Sequence, residues 1–308
     1  MTLTAEIKQQ AYAQGFDLVG VAKAGFLEQE ARDLEQYLKE GRHGTMSWME
    51  NHFEKRVDPR LLVEGAKSIV SVLLNYFPPE EHRQPDDAPK ISTYAWGEDY
   101  HKVIKRKLYR VLEFIQEKVG DVNARVFTDS APVMDKAWAL RAGLGWVGKH
   151  TNLIHPKMGS WYFIGEIILD VELDYDAPLT DHCGTCTRCL DACPTEALTP
   201  YQIDSNKCIS YLTIELRENM PAELRRDTEG WAYGCDICQE VCPWNRFSKA
   251  HTGVDFRPLD HILAYGAKEW REVGERQFKK LVKKSAMSRV KWGKMMDNLA
   301  AVEEGEGQ

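Results

Sequence analysis

Cysteine is absent from the first 182 of the 308 residues, and all eight cysteines fall between positions 183 and 242. Long apolar runs are also missing: no stretch approaches eighteen unbroken apolar residues, which excludes a membrane-spanning helix. The opening MTLTAEIKQQAYAQG has neither a basic start leading into an apolar run nor a twin-arginine pair, so the expected location is the cytoplasm. In that reducing compartment clustered cysteines are expected to be metal ligands rather than disulfides. No internal repeat with a solenoid period is present, so a stacked-repeat architecture is excluded. Basic charge is in deficit, with 40 Lys and Arg against 47 Asp and Glu, a net −7 that argues against a polyanionic partner. One segment breaks that pattern. Arg276 to Lys294 holds eight Lys or Arg and no acid, so the rest of the chain carries −15. Such a run is either a solvated helix or a phosphate-contacting one.

With 43% hydrophobic residues, the chain can bury a sizeable core. FDLVGVA reads as a strand, residues 27 to 40 as a helix stopping at Gly41, and SIVSVLLNY, 68 to 76, as a strand buried on both faces. FPPEEHRQPDDAPK is a surface loop. From Glu98 to Val119, Val103, Ile104, Leu108, Val111, Leu112 and Ile115 share one helical face, ending at Gly120. ARVFTD is a strand finishing on Asp129, and a helix with Pro132 in its first turn runs to Gly143. WYFIGEIILDVEL is the strongest strand. This order predicts an α/β layer domain over residues 1–176, a cysteine module over 177–250 and a helical basic tail over 251–308.

Cys183, Cys186, Cys189, Cys193 and Pro194 match the C-x2-C-x2-C-x3-C-P run of bacterial ferredoxins, whose fourth cysteine serves the neighbouring cluster. Cys235, Cys238, Cys242 and Pro243 repeat the second half, and Cys208 is the one thiol left to complete it. Counting then gives Cys183, Cys186, Cys189 and Cys242 for one 4Fe-4S cluster, with Cys193, Cys208, Cys235 and Cys238 for the other. A pair of four-cysteine zinc sites is the competing reading, disfavoured by the interlocked spacing and the two prolines. A radical-initiator cluster is out, because no C-x3-C-x2-C occurs. Two cubanes pass single electrons, so the preceding α/β domain is expected to hold their acceptor.

VFTDSAP, RAGLGWVGKHTNLIHPKMGSWYFIGEI, KCISYLTIELR, YGCDICQEVCPWNR and WGEDYH together resemble the epoxyqueuosine reductase family, over about residues 5 to 260. More distantly the chain is similar to corrinoid-dependent reductive dehalogenases. The resemblance implies a nitroreductase-like, α+β cobalamin-binding domain joined to a ferredoxin-like double-cubane module. It also implies reduction of epoxyqueuosine to queuosine at the wobble position of tRNA. The D-x-H-x-x-G cobalt-ligand signature is absent: Asp99 and His101 are followed by Ile104 where glycine belongs. That fits the family's mode, in which cobalt takes no histidine from the protein. Longer members carry a helical-repeat extension; if that extension helps hold tRNA, Arg276–Lys294 is expected to do more of that work here.

By its place in the family's D-S/T-x-P motif, Asp129 is the expected general acid for the departing oxygen, with a carboxyl raised by burial. Its position past a strand's carboxyl end, the usual edge for ligands in open α/β sheets, agrees with that role. The bland alternative is that Asp129 or Ser130 caps the helix near Pro132; Asp135 is a competing carboxylate. Matching family positions assign cobalamin contacts to Arg56, Asp129 and Ser210, and Lys149 with His150 are weaker candidates. Arg217, Lys279, Lys280, Lys283 and Lys284 are the expected tRNA contacts. Trp244, one of nine tryptophans, is expected to shield a cluster. The enzyme is expected to act as a monomer fed by an external electron donor. The rival readings are a corrinoid reductase of a small molecule such as an organohalide, an electron carrier and a flavin reductase.

Overall fold

The computed structural model describes residues 1–306. Its centre is a four-stranded sheet of β1 (Leu18–Lys23), β2 (Ser68–Asn75), β3 (Ala124–Phe127) and β4 (Tyr162–Leu169). The strands lie in the order β1-β2-β4-β3, and every neighbouring pair is antiparallel. β2 is buried at all eight positions, as a strand apolar on both faces must be. One face is covered by α1 (Leu3–Ala13) and α3 (Tyr100–Val119), the other by α2 (Glu28–Lys39) and α4 (Asp135–Arg141). The buried stripe of α3 is Val103, Ile104, Leu108, Val111, Leu112 and Ile115. Asp99 caps its start, accepting from the backbone N–H of His101 at 3.1 Å. Gly165 on β4 is required for that close packing, since a Cβ there would lie 2.5 Å from Cγ2 of Ile104.

Two expectations are corrected. The argument placing ligands at the carboxyl edge of a parallel sheet does not apply, because this sheet is antiparallel. The helix expected near Pro132 begins at Asp135, and no side chain caps it. The preceding loop follows its own hydrogen bonds instead: Thr128 Oγ1 donates to the carbonyl of Ile164 at 2.8 Å, and Asp129 adopts a left-handed φ of 52°. Neither Asp129 nor Ser130 is therefore a cap.

Beyond the sheet, cysteines sit on short helical turns at Arg188–Asp191 and Ile237–Glu240 and before α5 (Ile209–Ile214). β5 (Trp231–Tyr233) runs parallel beside Lys90–Ile91. Against it pack α6 (Glu275–Leu281), the following 3-10 turns and α7 (Trp292–Glu306), burying Trp270, Phe278, Met287 and Met295 with Ile91 and Tyr233. Among the described residues no helix is long and apolar enough to cross a membrane.

Candidate active site and iron–sulfur centre

The cysteine spacing folds into two rings of thiols. Cys183, Cys186, Cys189 and Cys242 line one cavity of about 230 Å³. Cys193, Cys208, Cys235 and Cys238 line a second of about 490 Å³. Among the described residues no three such donors converge closely enough to hold a single ion; the thiols surround voids. Burial pushes Cys189 up to about 11 and raises Cys208, Cys235 and Cys238 as well, so thiolates here require a cationic occupant. A cluster with an iron core meets that requirement. Lys149 is committed to the first ring, donating to the carbonyls of Gly184 at 2.7 Å and Cys186 at 3.0 Å. Trp244 also lines this ring, edge-on to Trp146 with centroids 5.0 Å apart.

A further cavity of about 680 Å³ opens beside α3 and the Asp129 loop. It meets the second thiol cavity at Tyr94, Tyr100, Asp129, Ile214 and Glu215, which line both. Arg56, only 8% exposed, lines the larger space, with its Nη2 donating to the carbonyl of Trp48 at 2.9 Å. Ser210, at the start of α5, and His150 line the cavity of the second ring.

Asp129 accepts a short hydrogen bond from the Tyr100 hydroxyl and lies 3.4 Å from His101 Nε2. Nδ1 of the same imidazole lies 2.8 Å from Asp99. Asp129 is 62% exposed, but to the cavity it lines. Desolvation there favours its neutral form, yet the bonds from His101 and Tyr100 outweigh it and hold the carboxyl below its usual range. The expected rise at Asp129 is therefore corrected. Desolvation also opposes charge on His101, but Asp129 and Asp99 lift it to about 9. At neutral pH the proton of this cluster resides on the imidazole. Both His101 nitrogens are engaged by carboxylates, so neither is free to ligate a metal.

The structure does not bring Arg217, Lys279, Lys280, Lys283 or Lys284 into these cavities; all five are exposed. Lys279 pairs with Glu275 at 2.6 Å, and Arg217 reaches the carbonyl of Arg289 at 3.4 Å. Arg289 is the charged residue of the basic segment that lines the larger cavity, where it forks onto Glu215 at 2.8 and 2.7 Å. Sequence reading missed this pair, which lies 74 positions apart with no motif to join it. Tyr100 was also missed as a functional side chain, although it stands inside the WGEDYH stretch. The carbonyl of Lys284 accepts the Asp99 N–H at 2.6 Å, tying the basic segment to the His101 end of α3.

Two rings of four thiols, one opening onto a cavity with a carboxylate and a charged imidazole, define an iron–sulfur oxidoreductase of the double-cluster type. Residues 182–245 match the family described as 4Fe-4S double cluster binding domain, and residues 56–130 match epoxyqueuosine reductase QueG, DUF1730. The epoxyqueuosine reductase of Cellulophaga algicola is 54% identical over 294 residues, covering 95% of this chain and 95% of its own length. The chain belongs to the epoxyqueuosine reductase family. A crystal structure of an epoxyqueuosine reductase with an epoxyqueuosine-modified tyrosine tRNA stem loop superposes with a TM-score of 0.88 at 30% identity, covering 98% of this chain and 81% of that one. The Bacillus subtilis enzyme, solved with an aspartate-bearing catalytic loop swung out of the active site, gives 0.90 at 30% identity with the same coverage.

Proposed function

We propose that this chain reduces epoxyqueuosine to queuosine in tRNA, with cobalamin held between Arg56, Asp129 and Ser210. The observation that carries the reading is the continuous space from Asp129 to the second thiol ring, walled by Tyr94 and Tyr100. The residues present fit a corrin: the space is aromatic-walled and polar-rimmed, and His101 is already committed on both nitrogens. Arg56, Asp129 and Ser210 would hold the corrin, which would supply the two electrons that, with two protons, turn the epoxide into the alkene and water.

The chain's own residues supply the first of the two protons, and solvent the second. Asp129 lines the space where the oxygen departs, and His101 stores a proton 3.4 Å behind it. Tyr100 fixes the carboxylate by its hydroxyl and is itself held by stacking on Phe163 at 4.3 Å. As the oxygen gains charge, a proton passes from His101 through Asp129 to it, and Asp99 keeps the imidazole oriented. The ring of Cys193, Cys208, Cys235 and Cys238 adjoins this space, whereas the other ring does not. Cys183, Cys186, Cys189 and Cys242 would accordingly hold the cluster that receives electrons from an external donor. Arg289 and Glu215 rim the larger cavity, and the exposed lysines 279, 280, 283 and 284 contact tRNA phosphates.

The test is an anaerobic reaction of protein with both clusters, cobalamin and a low-potential reductant on a stem loop carrying epoxyqueuosine, followed by nucleoside mass analysis. Cobalamin-dependent loss of one oxygen is the expected result. No loss, with clusters and corrin confirmed present, overturns the reading.

A further inference from the structure

Glu166 sits in the middle of the sheet, on β4, with Ser71 of β2 and Phe127 of β3 as its register partners. It shares a face with Ile164 and Ile168, which pack into the apolar layer beneath α4. The side chain is 0% exposed, and neither carboxyl oxygen has a donor within reach. A buried, unpaired carboxylate costs several kcal/mol, so this group needs either a partner or a proton. The group facing it within hydrogen-bonding reach is another acid, Asp135, at the first turn of α4. Two carboxyls bond to one another only by holding a proton between them. Asp135 Oδ1 in turn accepts the backbone N–H of Asp129 at 3.2 Å. That N–H belongs to a residue with φ 52°, a left-handed conformation that a non-glycine residue keeps only when its surroundings enforce it.

We propose that Glu166 is a positioning residue for Asp129: it donates a retained proton to Asp135, and Asp135 anchors the strained backbone that presents Asp129 to the cavity. The chain of bonds is Glu166 O–H to the Asp135 carboxylate, with the Asp129 N–H donating to the same carboxylate. The charge balance agrees. Burial, then Asp135, drives Glu166 well above the usual carboxylate range, whereas burial and Asp129 raise Asp135 only to about 6. At neutral pH Glu166 is therefore the protonated member. The charged groups near the pair are Asp129, Lys136 and Arg56; β2 contributes the uncharged Ser71. The proposal rests on the reading of Asp129 as the residue that delivers the proton.

The test compares Glu166→Gln with Glu166→Leu. Glutamine keeps a donor toward Asp135 without an acid proton; leucine removes the donor at similar volume. Infrared spectroscopy of the wild-type holoprotein should show the C=O stretch of a protonated carboxylic acid that E166Q lacks. Amide hydrogen exchange of residues 128–134 should stay at the wild-type rate in E166Q and quicken about tenfold or more in E166L, the loss of a charge-assisted bond. Turnover of the stem loop should follow, with kcat near wild type in E166Q and about tenfold lower in E166L at unchanged KM. Infrared and exchange need no turnover, so they stay informative if the assigned reaction is wrong. An E166L protein with wild-type exchange and both clusters intact overturns the proposal, as does an acid C=O band that persists in E166Q.

Discussion

Replacing Asp129 by asparagine tests the proton-delivery arrangement most directly. In the wild type, His101 is lifted from 6.5 to about 9 by Asp129 and Asp99 against the desolvation of the cavity. Asparagine removes a charge-assisted bond, worth ~1.5–3 kcal/mol, or roughly tenfold or more in the imidazole's proton affinity. It also removes one of the two carboxylates, the other being Glu215, that line both cavities at their junction. Turnover should fall about a hundredfold to ten-thousandfold, the usual contribution of a positioned acid. The sign of the pH dependence is set by a raised histidine: its charged form is fully populated below about 6.5 and is lost as pH climbs through about 9. Wild-type turnover should accordingly decline on that alkaline side. In the variant the residual rate should decline at lower pH. The assay is single-turnover conversion of the modified stem loop across pH, with cluster and corrin absorbance confirming equal loading. Full activity in D129N, or a wild-type rate flat through pH 9, would refute the assignment.

Charge reversal of Lys279, Lys280, Lys283 and Lys284 should weaken stem-loop binding and flatten its dependence on salt, read by fluorescence titration at several ionic strengths; unchanged affinity would make them a solvated face. Cys193→Ser should destabilise the cluster beside the Asp129 cavity and leave the other, roughly halving bound iron, while Cys242→Ser should spare the inner cluster and slow its reduction by an external donor; iron analysis and electron paramagnetic resonance separate the two. Gly165→Ala would place a methyl 2.5 Å from Ile104 Cγ2 and 2.9 Å from Leu108 Cδ1, so overpacking should cost ~1–3 kcal/mol and lower the thermal midpoint.

The helical stripe of α3 and the doubly buried β2 were legible because the periods of helix and strand are written directly into the spacing of apolar residues. The grouping of the thiols was legible for a different reason: the C-x2-C-x2-C-x3-C-P pattern carries its own cross-pairing, so Cys242 joins Cys183, Cys186 and Cys189 from more than fifty positions away. The Asp129 loop was less legible: proline at position 132 is compatible with a helix start, but the bond from Thr128 to Ile164 comes from a strand more than thirty residues away. Its protonation was misjudged for the same reason. Burial alone raises a carboxyl, and only the arrangement of Tyr100 and His101 around it reverses the sign.

Composition and cysteine spacing alone carry a pattern suited to two 4Fe-4S clusters, mixed helices and strands before it and a concentrated basic segment after it. The antiparallel order of the sheet, the opening of one thiol ring onto the Asp129 cavity, the proton on His101 and the burial of Glu166 near Asp135 exist only in the folded chain. These are pairings between distant segments, and a hydrogen bond or a desolvation penalty exists only once the folded core has brought its partners together.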